Sequence, residues 1–198
     1  GVVYRATDRL SGQPVALKQV VVPPELLEFL TRSKTEEFYV GLAREFQALA
    51  SLRHPNIISV YDYGFDDQRQ PFLVMELLQD AQEIPLAGAR LPLADRVHLL
   101  QQMFEAINYL HRRGIIHRDL KPSNVLAIRQ NDYQVKVLDF GLSIQHGEQG
   151  GAEGTLGYIA PEVLQGGDSS TSADLYAAGV IACELFTGRQ PFAADSLD

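Results

Sequence analysis

The spacing of apolar residues in the first part of the chain predicts two strands followed by helix. Residues 1–22 alternate apolar and polar positions around a break at 11–14, which is typical of two strands joined by a turn. From 24 to 52 apolar residues recur every three or four positions, which predicts helix. Gly41 is unfavourable in the interior of one continuous helix, and Pro55 predicts that the helix ends before it.

The middle of the chain predicts a second pair of strands and then a linker. Residues 57–65 and 71–77 have the composition of strands and are joined by a polar turn. Between 79 and 92 the periodic pattern gives way to Pro, Gly and Ala. We therefore expect a linker there, just past a domain boundary.

Two long helices are predicted in the second half. Asp95 is a candidate N-cap for the first helix, and Gly114 is its expected stop. Its apolar stripe is predicted to be Val97, Leu100, Phe104, Ile107 and Leu110. The second helix, at about 172–186, is apolar nearly all round, which predicts that it is buried.

Composition narrows the class of protein. The 198 residues are 45% hydrophobic and 21% charged, as expected for a soluble globular protein with one core or two small lobes. The net charge of −8 argues against nucleic-acid binding. One cysteine, Cys183, excludes an internal disulfide framework. The sequence has no secretory signal and no membrane-spanning segment. Together with the single cysteine, this favours a cytoplasmic location.

One short segment carries most of the candidate chemistry. It places the carboxylate of Asp119, the ammonium of Lys121 and the carboxamide of Asn124 within six residues, and Asp139 follows fifteen residues later. These groups can orient a hydroxyl, neutralise a phosphoryl group in transfer and hold two magnesium ions. Five fixed residues at this spacing arise by chance about once in three million windows.

These residues resemble the catalytic loop and metal-binding motif of the eukaryotic-type (Hanks-type) serine/threonine protein kinases. Three further motifs stand in the order of that family. Residues 1–3 resemble the end of a Gly-rich loop, residues 15–18 a phosphate-binding strand, and residues 160–162 the close of the activation segment. The resemblance implies an α+β, two-lobed fold, with a β-rich N-lobe at 1–78 and a helical C-lobe at 79–198. Because the chain begins inside a motif, we expect a fragment of a kinase domain, in a style that indicates a bacterial signalling protein.

The resemblance implies a role for each polar residue of the catalytic loop. Asp119 would orient the substrate hydroxyl, Lys121 would contact the γ-phosphate of ATP, and Asn124 with Asp139 would hold Mg²⁺. The alternative is that Asp119 and Asn124 are turn residues that satisfy backbone groups. By the same resemblance His117 is a packing residue, in a column with Leu49, Val60 and Phe140, rather than a base or metal ligand.

The N-lobe would supply the lysine that holds the α- and β-phosphates. The resemblance places this role at Lys18 and pairs it with Glu45, while Glu36 and Glu37 remain competitors. The segment 23–39 is longer than the family pattern leads us to expect, and it is either an added regulatory helix or a surface insertion without function.

The adenine site is also carried over by position. Met75 would guard the back of the pocket, and the backbone of Glu76 and Leu78 would bond the adenine edge. The apolar residues Val3, Ala16 and Leu126 would enclose the ring, with Gly1 of the phosphate loop beside it. The alternative is that all of these are plain core residues.

Two features bear on substrate and regulation. The residues around Lys121 and Thr155 resemble the motifs of serine/threonine kinases rather than those of tyrosine kinases. The resemblance also implies that Thr155 lies near the catalytic residues. Residues 144–154 contain no Ser, Thr or Tyr. Our hypothesis is that activity needs no phosphate in this stretch and that Glu148 or Glu153 replaces its charge.

The predicted function is ATP- and Mg²⁺-dependent phosphorylation of serine or threonine in protein substrates, with regulatory domains outside this chain as further partners. Two alternatives remain. A pseudokinase scaffold would bind without catalysis, but none of Lys18, Asp119, Asn124 and Asp139 is lost. A small-molecule kinase would share the Asp and Asn spacing, but the motif at 160–162 argues against it.

Overall fold

Two compact units make up the chain in the computed structural model, which describes residues 2–20, 32–129, 131–139 and 156–192. The first unit comprises Gly1–Arg53 and Ile58–Gln79, and the second His54–Ile57 and Asp80–Asp198. Residues 54–57 thus belong to the second unit, although the chain on both sides of them belongs to the first. The boundary predicted at 78, between an N-lobe and a C-lobe, stays a prediction.

The first unit contains a four-stranded antiparallel sheet with the order β1-β2-β4-β3. Its strands are β1 (Val2–Thr7), β2 (Pro14–Gln19), β3 (Val60–Phe65) and β4 (Pro71–Glu76). The amide of Asp8 donates to the carbonyl of Gln13 (2.9 Å), which closes the predicted turn between β1 and β2. The strand prediction for 57–65 is wrong at its start, because Ile57 forms an isolated bridge with Val137 in the second unit instead.

One long helix, α1 (Arg32–Ala50), accompanies this sheet. It buries Leu42, Phe46 and Leu49, and the ring of Phe46 meets that of Tyr63 in β3 edge to face. The helix is continuous through Gly41, because an exposed glycine costs too little to break a helix whose following turns are anchored by buried residues. Residues 32–39 of the predicted insertion form the first turns of α1, and 23–31 lie outside the described residues.

The segment predicted to be a linker contains a short strand and a short helix of the second unit. These are β5 (Gln82–Glu83) and α2 (Ile84–Gly88). Pro85 suits the first turn of a helix, and Ile84 and Ala87 are buried. A Cβ at Gly88 would lie 2.3 Å from Cδ1 of Leu185, so the glycine permits close packing there. The linker prediction is wrong because so short a helix shows no periodic pattern.

Helix α3 (Leu93–His111) begins two residues before the predicted cap. Pro92 is the N-cap, and Asp95 lies in the first turn, so the capping prediction is wrong. The predicted stripe is wrong at Val97, which is 49% exposed; the buried face is formed by Leu99, Gln102, Met103, Ala106, Ile107 and Leu110. Positions 93–98 are exposed apart from the half-buried Arg96, and the buried positions begin at Leu99. Gly114 follows with a φ of 72°, as expected of a helix stop.

The remaining elements complete the second unit. Strands β6 (Val125–Arg129) and β7 (Tyr133–Val137) form a sheet with β5 in the order β5-β6-β7. A short helix α4 (Pro161–Leu164) precedes α5 (Thr171–Thr187), which Ser170 caps. The α+β class and the helix predicted at 172–186 are confirmed. Its burial is confined to one side, because Leu175 is 50% exposed although Ala178 and Ile181 are fully buried. None of the helices in the described ranges is long and apolar enough to cross a membrane.

Candidate active site

The loop before β6 gathers the three polar groups singled out in the sequence. Pro122–Asn124 forms one 3₁₀ turn, closed by the bond from the Asn124 amide to the Lys121 carbonyl (2.9 Å). Nζ of Lys121 lies 2.9 Å from Oδ2 of Asp119. The carboxamide of Asn124 donates to the carbonyl of Asp119 (2.7 Å) and to its Oδ2 (3.0 Å). An ammonium and an amide therefore orient one partly exposed carboxylate.

Asp139 is held next to this loop by backbone bonds. The amide of Leu138, its neighbour, donates to the carbonyl of Asn124 (2.9 Å), and Nε2 of His117 donates to the carbonyl of Leu138 (2.9 Å). Two non-glycine residues here have positive φ, Arg118 at 70° and Asp139 at 60°. Such a conformation costs free energy and is typical of functional sites.

The donor atoms of this cluster suit a hard divalent metal. Both hydrogens of the Asn124 carboxamide nitrogen have acceptors, which leaves its oxygen as the atom that would face a cation. The carboxylate of Asp139 would supply the second oxygen. The residues present therefore fit a metal with oxygen ligands.

A buried carboxylate that the sequence analysis missed holds the backbone of the loop. Asp174, 2% exposed in the first turn of α5, accepts from the amides of His117 (2.8 Å) and Arg118 (3.0 Å). Nε2 of His111 donates to the same carboxylate (2.7 Å). The available signal was that Asp174 is one of two charged residues, with Glu184, in a segment otherwise apolar nearly all round, since a buried charge needs partners.

His117 is buried and neutral in this arrangement. Burial lowers its pKa, and the carboxylates of Asp174, Asp119 and Asp139 and the bond to Leu138 oppose this only in part. Its Nδ1 accepts from the amide of Asp119 (3.3 Å) while Nε2 donates to Leu138, which fixes the tautomer. These contacts support the predicted packing role. Leu49 and Val60 are buried in the first unit, and Phe140 lies outside the described residues, so the predicted column stays a prediction.

The candidate nucleotide residues of the first unit lie on β1, β2 and β4. Ala16 and Met75 are direct partners in the sheet and are both buried, and Val3 pairs with Lys18. The amide of Glu76 donates to the carbonyl of Ser59 (3.0 Å), which restricts any main-chain contact of Glu76 with adenine to its carbonyl oxygen. Leu78 follows β4 and is half-buried.

The other predicted site residues are placed as follows. Glu45 lies on α1 with an exposed side chain, as do Glu36 and Glu37, so the pairing of Lys18 with Glu45 stays a prediction. Leu126 is half-buried on β6 in the second unit, opposite Glu83 and Lys136. Gly1, Thr155 and the stretch 144–154, with Glu148 and Glu153, lie outside the described residues.

Comparison with known proteins decides the family. The chain matches the protein kinase domain over residues 1–198. The chain belongs to the protein kinase family. Among its relatives are a probable serine/threonine-protein kinase of Streptomyces coelicolor (36% identical), the serine/threonine-protein kinase PknA of Mycobacterium tuberculosis (35%) and PrkC of Bacillus subtilis (34%). Each match covers 98% of this chain, and 29%, 46% and 29% of the respective relative.

Two consequences follow from membership of the protein kinase family. ATP is the phosphate donor of this family, and a divalent metal typically accompanies it, in agreement with the oxygen donors of Asn124 and Asp139. The chain spans less than half the length of these relatives. The activities of the relatives as whole proteins are therefore assigned to this chain only as a proposal.

Proposed function

We propose that this kinase domain transfers the γ-phosphate of ATP to serine and threonine hydroxyls of protein substrates in signalling. The observation that carries the proposal is the cluster of Asp119, Lys121 and Asn124, which the backbone bond from Leu138 to Asn124 connects to the segment that follows β7 and contains Asp139. The names of the relatives support serine and threonine as acceptors.

The residues of the loop would divide the work of transfer. Asp119, about half exposed, would accept a hydrogen bond from the substrate hydroxyl and align it with the phosphorus. Lys121, within reach of the same carboxylate, would neutralise the moving phosphoryl group. Mg²⁺ is the metal we propose; when bound by Asn124 and Asp139 it would neutralise phosphate charge. Asp174 would keep the loop in place through its backbone bonds.

The nucleotide would be held by groups on the first unit. We propose that Lys18, paired with Glu45, contacts the phosphates, and that Ala16, Met75, Val3 and Leu126 enclose adenine. Main-chain groups of Glu76 and Leu78 and the Gly1 end of the phosphate loop would complete the site, with Thr155 near the acceptor. Regulatory domains elsewhere in the protein are a further proposal, in line with the greater length of the relatives. A cytoplasmic location stays a prediction.

Radiolabelled phosphate transfer tests the proposal. The full-length protein would be incubated with Mg·ATP and a generic acceptor, beside Asp119→Asn and Asp139→Asn variants. We expect both variants to lose about 10³-fold or more in kcat, because each removes a charge that orients or neutralises the transferring group. Asp132→Asn, at an exposed position between β6 and β7, is the matched control and should retain activity.

Three outcomes of this experiment would contradict different parts of the proposal. Nucleotide binding without transfer in the unaltered protein would favour the pseudokinase scaffold. Transfer only to small alcohols would favour a small-molecule kinase. Full activity of the Asp119→Asn variant would contradict the assigned role of that residue.

A further inference from the structure

A cavity at the C-terminal end of α3 shares no lining residue with the cavity that contains Asp119. Its volume is about 490 Å³, and all of its lining residues belong to the second unit. Most of the side chains around it are exposed, so it is open to solvent. None of them has a part in the proposed transfer of phosphate. The lining residues are His54, Glu105, Asn108, Tyr109, Arg112 and Arg113.

Two exposed arginines concentrate positive charge at this cavity. The backbone amide of Arg112 donates to the carbonyl of Asn108 (3.0 Å). That of Arg113 donates to the carbonyl of Leu110 (2.9 Å), so both side chains start from a fixed backbone. Neither guanidinium forms a hydrogen bond or an ion pair with another residue of the described ranges. Their charges are therefore available to a bound group.

An aromatic ring places one of these guanidinium groups. Cζ of Arg113 lies over the ring of Tyr109, 4.4 Å from its centroid. A guanidinium that meets a ring with its face keeps the N–H groups along its edge for other partners. The ring of His54 lies against the same tyrosine, with 4.9 Å between centroids. Its Nδ1 accepts from the amide of Asn56 (3.2 Å), so its hydrogen is on Nε2, which adds a donor to the cavity.

The charges around the cavity favour an anion with two negative charges. Among the lining residues the only carboxylate is that of Glu105, which accepts from Nε2 of Gln101 (3.0 Å). Two arginines against one glutamate leave positive charge in excess, in a chain whose net charge is −8. A phosphate monoester carries about two negative charges and three acceptor oxygens at pH 7, whereas a carboxylate carries one charge. Two guanidinium groups therefore match the phosphate better.

We propose that this cavity binds the phosphate group of a phosphorylated serine or threonine side chain of a protein. Arg112 and Arg113 donate to the phosphate oxygens, and the imidazole of His54 and the carboxamide of Asn108 line the same space. A concave site of this size fits one side chain with its phosphate, whereas a membrane surface is flat. The site is distinct from the proposed transfer site and would recognise its product, a phosphorylated residue of this protein or of another.

Fluorescence anisotropy with the full-length protein tests this binding. The probe is a labelled pentapeptide with one phosphoserine among glycines. Two further peptides carry serine or glutamate in place of the phosphoserine. We expect the phosphorylated peptide to bind at least about tenfold more tightly than either, because only it can engage both guanidinium groups. Binding of a synthetic peptide needs no transfer of phosphate, so the result does not depend on the proposed kinase activity.

Substitution of the arginines locates the binding. Arg112→Gln and Arg113→Gln each remove one guanidinium, and each should lower the affinity for the phosphopeptide about tenfold. Tm should not change, since both side chains are exposed. Arg113→Lys keeps the charge without the planar fork and should give a smaller loss. Arg129→Gln is the matched control, because Arg129 also lies over a tyrosine ring, that of Tyr133 (5.8 Å), but does not line this cavity.

Treatment of the protein with a phosphatase distinguishes the two sources of the ligand. If a phosphorylated residue of the same protein occupies the cavity, dephosphorylation should raise the affinity of the unaltered protein for the phosphopeptide and leave that of Arg112→Gln low. Equal affinities before and after treatment would assign the ligand to a different phosphorylated protein. Both results support the site and differ only in where its ligand comes from.

Four other results would overturn the inference. Equal affinities for the phosphorylated and the serine peptide would show that the phosphate is not recognised. Equal affinities for the phosphorylated and the glutamate peptide would assign the cavity to acidic segments in general. Unchanged binding of the phosphopeptide by Arg112→Gln and Arg113→Gln would place its site elsewhere. No phosphopeptide binding, together with binding to phosphatidylserine vesicles that these variants lose, would assign the arginines to a membrane surface.

Discussion

At the scale of single residues, the buried carboxylate of Asp174 holds the backbone of the loop that contains Asp119. It accepts from two successive backbone amides, those of His117 and Arg118, and from the ring of His111. Arg118 has a left-handed backbone conformation, which a free loop would rarely keep. The orientation of Asp119, the next residue, therefore depends on a side chain 55 positions away in sequence.

Asp174→Asn tests this dependence. Asparagine has one acceptor oxygen, and its NH₂ group would face a backbone amide, so at least one buried donor loses its partner. We expect a loss of about 2–4 kcal/mol in the free energy of unfolding and a fall of about 10- to 100-fold in kcat. Urea unfolding and steady-state kinetics measure the two. Asp168→Asn, at an exposed position before α5, is the control, and an Asp174→Asn variant that matched it would contradict the anchoring role.

The buried His117 should make the stability of the protein depend on pH. Its pKa is lowered in the fold by burial, so below about pH 6.5 the unfolded chain binds a proton that the folded chain excludes. Stability should therefore fall as the pH drops through and below 6.5, with a slope of at most about 1.4 kcal/mol per pH unit from this group.

The free energy of unfolding, measured from pH 7.5 to pH 5.5 for the unaltered protein and His117→Gln, isolates this contribution. The pKa of His54 is lowered as well, mainly by burial, but that residue is present in both proteins and cancels in the difference. We expect the difference between the proteins to shrink as the pH falls. Two parallel curves would show that His117 does not titrate as described.

Motif residues and packing residues differ in how far the sequence predicts them. Asp119, Lys121, Asn124 and Asp139 could be proposed because their chemistry depends on short spacings along the chain. The grouping of the first three agrees with those roles. The role of Asp174 could not be predicted, because it depends on hydrogen bonds to His117 and Arg118, which lie more than 50 positions away in the chain.

At the scale of elements, the two glycines of α5 and its C-cap differ in how they should affect the stability of the helix. Gly179 lies in its interior with an exposed position and no atom within 4 Å of an added Cβ. Gly188 is the C-cap, with a φ of 71° and equally open surroundings. Space is available at both positions, so backbone conformation alone decides the effect of a side chain.

Alanine at each position separates the two effects. Gly179→Ala should stabilise the protein by about 0.5–1 kcal/mol, since alanine favours helix and limits the unfolded chain. Gly188→Ala should destabilise it by about 1–2 kcal/mol, because a Cβ disfavours the left-handed conformation. Thermal unfolding of the two variants side by side measures both. Changes of the same sign would contradict the assigned C-cap geometry.

The elements also show where periodicity succeeds and fails. Helices α1, α3 and α5 were predicted because long apolar repeats leave a clear signal, and their ends were the least accurate part. The pair β5 and α2 was missed because seven residues, Gln82–Glu83 and Ile84–Gly88, are too few for a period to be visible. Val97 was assigned to the buried face because sequence spacing does not show where a neighbouring element begins to cover a helix.

At the scale of the whole molecule, residues 54–57 belong to the second unit although they lie between two stretches of the first. Asn56, 4% exposed, donates from Nδ2 to Oε1 of Gln102 (2.8 Å) and to the carbonyl of Val135 (3.0 Å). Its carbonyl accepts from the amide of Val137 (2.9 Å), and Oε1 of Gln102 accepts from the amide of Val135 (2.9 Å). Residues 54–57 thus contribute to the sheet and helix core of a unit that otherwise begins at Asp80.

Asn56→Ala should therefore destabilise a part of the protein remote in sequence. We expect a loss of about 2–3 kcal/mol, because buried acceptors on Gln102 and Val135 lose their donor. Hydrogen exchange should accelerate in β7 and in the buried part of α3 more than in β3 and β4, which follow the altered residue in sequence. Asn108→Ala, exposed on α3, is the control. Faster exchange confined to β3 and β4 would contradict the assignment of residues 54–57 to the second unit.

The placement of residues 54–57 limits how this domain can be divided into pieces. The backbone passes between the two units at 53/54, at 57/58 and again at 79/80. A protease that cuts after Gln79 would leave Asn56 on the wrong fragment, and the amide of Val137 would lose its acceptor. Two separately produced halves would therefore not each contain a complete core, and a split-protein reporter cut at that point should reassemble only if the first half delivers its internal segment 54–57 to the second.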